Sequence, residues 1–128
     1  MNAETRLSEL QLDVMQVLWR LGNATSGEVC AALADQRQLA LTTVATLLKR
    51  LEDRGLVSHT EQGRKFVYRA QVEEKDVQRD LVGGLIKQMF LGDPAALVNH
   101  LLGDQPLTEA DRQRIMALIE KGADGEAQ

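Results

Sequence analysis

The chain predicts a mainly α fold with a small β-hairpin wing: an N-terminal winged helix-turn-helix followed by a C-terminal domain of three helices. Three observations carry that expectation. Residues 42–54 place Val44, Leu47, Leu48 and Leu51 at i, i+3, i+4, i+7 spacing on one apolar stripe, and Gly55 follows as a natural helix stop. Two strand-like runs come next, Leu56-Val57-Ser58-His59-Thr60 and Lys65-Phe66-Val67-Tyr68-Arg69, separated by the turn-like Glu61-Gln62-Gly63-Arg64. Beyond Val72 every apolar pattern has helical spacing, and there are more apolar positions than one stripe can hold.

Taken in order, Ser8 and Gln11 fit a capping box that opens the first helix. Its buried face is Leu10, Val14, Val17, Leu18 and Leu21, and Gly22 ends it. Thr25 and Glu28 repeat the capping logic for a second helix through Val29, Ala32 and Leu33 to Gln36. The loop Arg37-Gln38-Leu39-Ala40 leads into the third helix. Ala40 and Leu41 make poor caps, so Thr42 or a neighbouring backbone group is expected to close its N-terminus. Trp19 is expected in the core or as an anchor under the wing, and Tyr68 packing the wing against the third helix.

Ala70-Gln71-Val72 links to a long helix over residues 73–90, with Val77, Leu81, Val82, Leu85, Ile86, Met89 and Phe90 on more than one stripe. Gly83-Gly84 within it costs roughly 1 kcal/mol per glycine relative to alanine, which points to a close helix approach or a kink. Asp93-Pro94 signals the start of a helix bearing Leu97, Val98, Leu101 and Leu102. Thr108 with Asp111 opens a last helix bearing Ile115, Leu118 and Ile119. The expected division is a winged-helix domain over 1–70, a helical domain over 71–122 and a disordered tail over 123–128.

With 128 residues and a net charge of −4, the chain looks at first unlike a nucleic-acid binder. The charge is unevenly distributed, however. Arg37, Lys49, Arg50, Arg54, Arg64, Lys65 and Arg69 face only Glu52, Asp53 and Glu61 within the same stretch, whereas acids dominate after Gln71. Cys30, the single cysteine, allows no internal disulfide or thiolate cluster and reads as a buried, inert thiol. His59 and His100 do not suggest a metal site, and no cofactor is expected. No apolar run approaches the ~18 residues of a membrane span, and the polar start is no signal peptide, so a cytoplasmic setting is expected. Nucleotide-loop, zinc-protease and nucleophile-elbow motifs are missing, which argues against an enzyme.

The side of the third helix opposite its apolar stripe carries Thr43, Thr46, Lys49 and Arg50, with Thr42 at its start. Short hydroxyls, methyls and cations suit a DNA major groove, with Thr43 and Thr46 at base edges and Arg50 at a base or phosphate. Arg64 and Lys65, on the hairpin, suit phosphates beside the minor groove. A winged helix used as a protein-interaction module is the other reading the residues allow. The surplus of apolar helix surface calls for a second copy, with Leu85, Ile86, Met89, Leu101, Leu118 and Ile119 as interface candidates. Two-fold symmetry then predicts a palindromic operator.

Several motifs carry a family resemblance. They are Leu10-(x)3-Val14-Met15-(x)2-Leu18-Trp19, Thr43-Val44-(x)-Thr46-Leu47-Leu48-(x)-Arg50-Leu51-(x)3-Gly55, Gly63-Arg64-(x)3-Tyr68, Phe90-(x)-Gly92 before Leu97-Val98, and Leu107-Thr108. Together they resemble the BlaI/MecI/CopY penicillinase-repressor family from about Leu7 to Ile119. The resemblance implies a homodimeric repressor on inverted repeats built around TACA and TGTA. It also implies relief by a membrane sensor protease that cuts the dimerisation domain at an Asn-Phe bond, for which Asn99-His100 is the corresponding pair here. The Cys-x-Cys pairs of copper-responsive members are missing.

Overall fold

The computed structural model describes residues 6–125, with side chains through residue 122. The elements in chain order are α1 (Glu9–Leu21), β1 (Asn23–Thr25), α2 (Ser26–Leu33), α3 (Leu41–Asp53), β2 (Val57–Gln62), β3 (Lys65–Ala70), α4 (Glu74–Met89), α5 (Pro94–Asp104) and α6 (Glu109–Gly125). The three strands form one antiparallel sheet in the order β1-β3-β2.

Local chemistry sets the helix starts. The Ser8 hydroxyl accepts from the Gln11 amide while the Gln11 side chain accepts from the Ser8 amide, closing α1. Thr25 and Glu28 do the same for α2. Each box satisfies two amides that the first turn leaves without a helical partner. At the far end of α3, Gly55 adopts φ +79°. Its amide donates to the Glu52 carbonyl at 2.9 Å and the Leu56 amide to the Leu51 carbonyl at 3.0 Å. That is a Schellman stop, with buried Leu51 and Leu56 as its apolar pair.

Several details differ from expectation. Leu21, expected in the buried face of α1, is exposed at the end of the helix. β1 is a strand the sequence does not announce: three residues, Asn23-Ala24-Thr25, too short to carry a period-2 signal. It exists because β3 offers it a free edge, with Ala24 opposite Tyr68. Helix α2 stops at Leu33 rather than Gln36; Ala34, Asp35 and Gln36 form a turn in which the Arg37 amide reaches the Leu33 carbonyl at 2.7 Å.

By internal packing the chain divides into two units, one ending at Gly84 and one starting at Leu85, so the division falls inside α4 at the glycine pair. The helix runs through both glycines, and a Cβ at Gly83 would meet nothing within 4 Å. In the first unit Val14, Met15 and Leu18 of α1, Val29 and Leu33 of α2, and Val44, Leu48 and Leu51 of α3 close a core completed by Leu56, Val57 and Tyr68. Each such aliphatic side chain contributes roughly 1.5–3 kcal/mol by leaving water. Trp19 anchors the seam below the sheet, its indole N–H donating to the Val72 carbonyl at 2.9 Å.

The second unit holds the end of α4, then α5 and α6. Leu91 and Gly92, both at positive φ, turn the chain, and the Gly92 amide returns to the Ile86 carbonyl at 3.0 Å. Asp93 caps α5 through the Ala95 amide, with Pro94 in its first turn. Thr108 and Asp111 exchange cap bonds at the start of α6. Helix α6 continues to Gly125, taking in the first three residues of the expected tail; residues 126–128 lie outside the described part.

Candidate nucleic-acid interface

Helix α3 presents its two sides as the sequence pattern requires. Val44, Leu47, Leu48 and Leu51 are buried, while Thr42, Thr43, Thr46, Lys49 and Arg50 are all exposed on the opposite side. The N-terminus closes differently from expectation. Ala40 is the cap residue, extended at ψ 148°, with no side-chain cap bond; Thr42 does not supply one. The first turn of α3 therefore keeps backbone amides without a side-chain acceptor, at the end of the helix where the dipole favours anions.

Thr46 carries a detail that sequence could not reveal. Its hydroxyl donates to the Thr42 carbonyl one turn back, at 2.9 Å. With the hydroxyl hydrogen engaged there, the side chain offers outward only oxygen lone pairs and a methyl. At a DNA base edge it could accept from an adenine or cytosine amino group or touch a thymine methyl.

The wing is tighter than its sequence suggests. Gln62 pairs directly with Lys65, leaving Gly63-Arg64 as a two-residue turn. Gly63 sits at φ +66°, as the first position of a type II′ turn needs, and that geometry matches the right-handed twist of the strands. Arg64 is thus at the tip and Lys65 opens β3, both exposed. Tyr68 packs into the core at the base of the hairpin; burial, and next the nearby Glu52 charge, push its phenol above its ordinary pKa.

Glu52, on α3, receives a hydrogen bond from Nδ1 of His59 on β2, at 2.5 Å. The His59 ring stacks on Phe66 with centroids 4.2 Å apart. Between α3 and the wing lies a groove of about 430 Å³, walled by Ala45, Lys49, Glu52, His59, Arg64 and Phe66. Lys49 and Arg64 thus share its lining with the rings of His59 and Phe66.

The basic stretch is not uniformly available. Arg37 is engaged within the fold, Nε to Asp13 and Nη2 to Glu9, both at 2.7 Å. Those bonds, Asp13 first, raise its pKa and fasten the α2–α3 loop to α1. Arg54 donates to Gln11. Among the described residues Lys49, Arg50, Arg64 and Lys65 form no ion pair, and these four surround α3 and the wing tip. Glu28 is held below its ordinary pKa by the Thr25 amide, then the Thr25 hydroxyl, with a smaller pull from Lys65.

In the second unit Leu85, Met89, Leu101, Leu118 and Ile119 are exposed and Ile86 is half-buried. No side chain of α5 is buried. Leu85, Met89, Phe90, Leu97, His100 and Leu101 line an apolar hollow of about 430 Å³. Asn99 and His100 lie in the middle of α5, exposed, with His100 Nδ1 3.2 Å from Asp104. Cys30 is half-buried, and its thiol donates to the Leu39 carbonyl at 3.1 Å. Among the described residues no group of three His, Cys, Asp or Glu could hold a metal ion, and no single helix is long and apolar enough to cross a membrane.

Comparison with known proteins supplies independent information. Residues 7–121 match the family model described as "Penicillinase repressor". The chain is 24% identical over 116 residues to a penicillinase repressor of Bacillus licheniformis, covering 91% of both chains. It is 22% identical over 120 residues to the methicillin resistance regulatory protein MecI of Mammaliicoccus sciuri, covering 94% of this chain and 98% of that one. Among solved structures, the DNA-binding domain of the repressor BlaI is 32% identical, with a TM-score of 0.52, over 59% of this chain and 93% of that domain. The complex structure of hsRosR-S4, at 19% identity and a TM-score of 0.58 over 96% of both chains, is alike in fold. Matched over nearly its whole length, motifs of α1, α3 and the wing included, the chain belongs to the penicillinase repressor family.

Proposed function

We propose that the chain is a transcriptional repressor that binds double-stranded DNA as a homodimer on an inverted repeat of the TACA/TGTA kind. One observation carries the DNA reading: Thr42, Thr43, Thr46, Lys49 and Arg50 form an exposed face of α3 opposite a fully buried stripe, beside unpaired cations at the wing tip. Thr43 and Thr46 read base edges, Arg50 a base or phosphate, and Lys49, Arg64 and Lys65 hold phosphates. The repressor role is supported by family membership and by relatives named as a penicillinase repressor and a resistance regulator. Those relatives are regulators rather than enzymes, in keeping with the missing catalytic motifs.

Dimerisation is assigned to residues 71–122, with DNA binding in residues 1–70. Leu85, Ile86, Met89, Leu101, Leu118 and Ile119 leave more apolar surface on the second unit than an isolated chain holds comfortably in water. A second copy covers it and supplies the second half-site. Relief of repression by cleavage at Asn99-His100 requires α5 to unwind first, since that bond lies inside a capped helix.

Fluorescence anisotropy on an inverted-repeat duplex and a scrambled one, across a salt series, tests the reading. Preference for the repeat, weakening steeply as salt rises, is the expected result. Equal or absent binding to both duplexes would favour a role in protein interaction.

A further inference from the structure

The wing is held at its base but projects freely at its tip. Tyr68, Val57 and Ala70 seat it on the core side, and β1 pairs with β3 only as far as Thr25 opposite Val67. Beyond that rung, Glu61, Gln62, Gly63, Arg64, Lys65 and Phe66 are all exposed. β2 is an edge strand, and among the described residues no strand pairs with its outer side. β2 runs three residues past His59 to Gln62, about 10 Å, before the turn that carries Arg64. A small tilt at His59 is magnified at Arg64.

At that fulcrum α3 reaches out to β2. The Glu52 carboxylate accepts the His59 Nδ1 hydrogen bond at 2.5 Å, and both side chains are about one-third exposed or less. The His59 ring lies against Phe66 at 4.2 Å, nearly parallel, and faces Tyr68 at 5.5 Å. One side chain thus touches both strands of the hairpin. Glu52 follows Lys49 by one turn, so the helix that carries the proposed base-reading face also carries the group that aims the wing. A carboxylate beside that groove would repel phosphate; here the His59 N–H engages one of its oxygens.

We propose that Glu52 and His59 form a strut between α3 and the wing that sets where Arg64 and Lys65 meet the DNA backbone. They are positioning residues and do not touch DNA themselves. The phosphate part of this assignment rests on the DNA-binding reading above; the strut itself does not. Its consequence is that the register between recognition helix and wing depends on one side-chain pair rather than on the sheet alone.

Two readouts on the full-length protein test it. Trypsin cuts after Arg64 and Lys65, so the initial cleavage rate there, followed by mass spectrometry, reports wing mobility without DNA. Glu52→Ala and His59→Ala should speed that cleavage several-fold. Glu52→Gln, which keeps an acceptor, and His59→Asn, which keeps a donor near Nδ1, should stay near wild type. On an inverted-repeat duplex, His59→Ala should flatten the dependence of log affinity on log salt by about 0.9 for each phosphate that the wing no longer neutralises. In an Arg64→Ala/Lys65→Ala background the same change should have no further effect on that slope.

Unchanged cleavage in both alanine variants overturns the strut. So does a salt slope that stays at the wild-type value while only thermal stability falls, since that marks ordinary packing. If the wild-type protein itself shows no salt-sensitive binding, the DNA reading fails, and the cleavage rates alone decide whether the strut holds the wing.

Discussion

Thr46 is the residue where structure changes the chemical expectation most. Sequence marks it as an exposed hydroxyl on a DNA-facing side; the structure turns its hydrogen inward to the Thr42 carbonyl. Thr46→Val keeps the methyl and removes the oxygen, and Thr46→Ser does the reverse. If the methyl meets thymine, Val should bind the cognate repeat near wild type while Ser loses about 1–3 kcal/mol on it and little on scrambled DNA. Competition anisotropy with both duplexes distinguishes these, and the opposite order would assign the interaction to the oxygen. Leu48, fully buried opposite that face, gives the stability counterpart: Leu48→Ala should cost about 2–5 kcal/mol in urea unfolding. Both positions are readable from periodicity, because a helix spanning core and solvent writes its two faces at fixed spacing. The direction of a hydroxyl hydrogen leaves no such trace. Nor does the engagement of Arg37 with Asp13 and Glu9, which joins residues far apart in the chain.

At the scale of elements, the capping boxes are visible in sequence because both partners lie three residues apart. Thr25 does double duty, ending β1 and capping α2. Thr25→Ala should destabilise the first unit by about 1 kcal/mol, seen as a lower thermal midpoint. Glu28, the reciprocal partner, has its folded pKa lowered by the Thr25 groups. A lowered carboxylate pKa stabilises the fold above the unfolded-state value, and that contribution fades as pH falls through the folded one. The midpoint of Glu28→Gln should therefore lie below wild type at neutral pH, and the gap should close in acid below the ordinary glutamate range. A gap independent of pH would mean that the hydrogen bond matters and the charge does not. β1 escapes a sequence reading because three residues pair only where another strand is already in place. Gly63 falls in a four-residue break by its sequence; pairing of Gln62 with Lys65 shortens that break to two. Turn length depends on cross-strand register, which a single run of residues does not encode.

For the whole molecule, the division after Gly84 suggests where to cut. A fragment of residues 1–84 should fold and remain monomeric, with operator affinity well below that of the full chain. Sedimentation and anisotropy on the same sample check this, and binding as tight as the full chain would remove the need for a dimer. A fragment ending at Ala70 should be less stable than 1–84 by about 1–3 kcal/mol. It loses Val72, which packs on the core and accepts the Trp19 indole hydrogen. The sequence shows that the later helices carry surplus apolar surface, but not which copy or surface covers it, because periodicity describes one helix at a time.

That indole has an optical consequence. Trp19 is the sole tryptophan of the chain, so its tryptophan emission reports from one point, the seam where the strand leaving the wing leads into α4. A shift to longer wavelength, arising before helical ellipticity is lost, would mark the opening of that seam in an otherwise folded protein. The same native fluorophore would register, without any label, whether occupancy of the wing by DNA is felt at the start of α4.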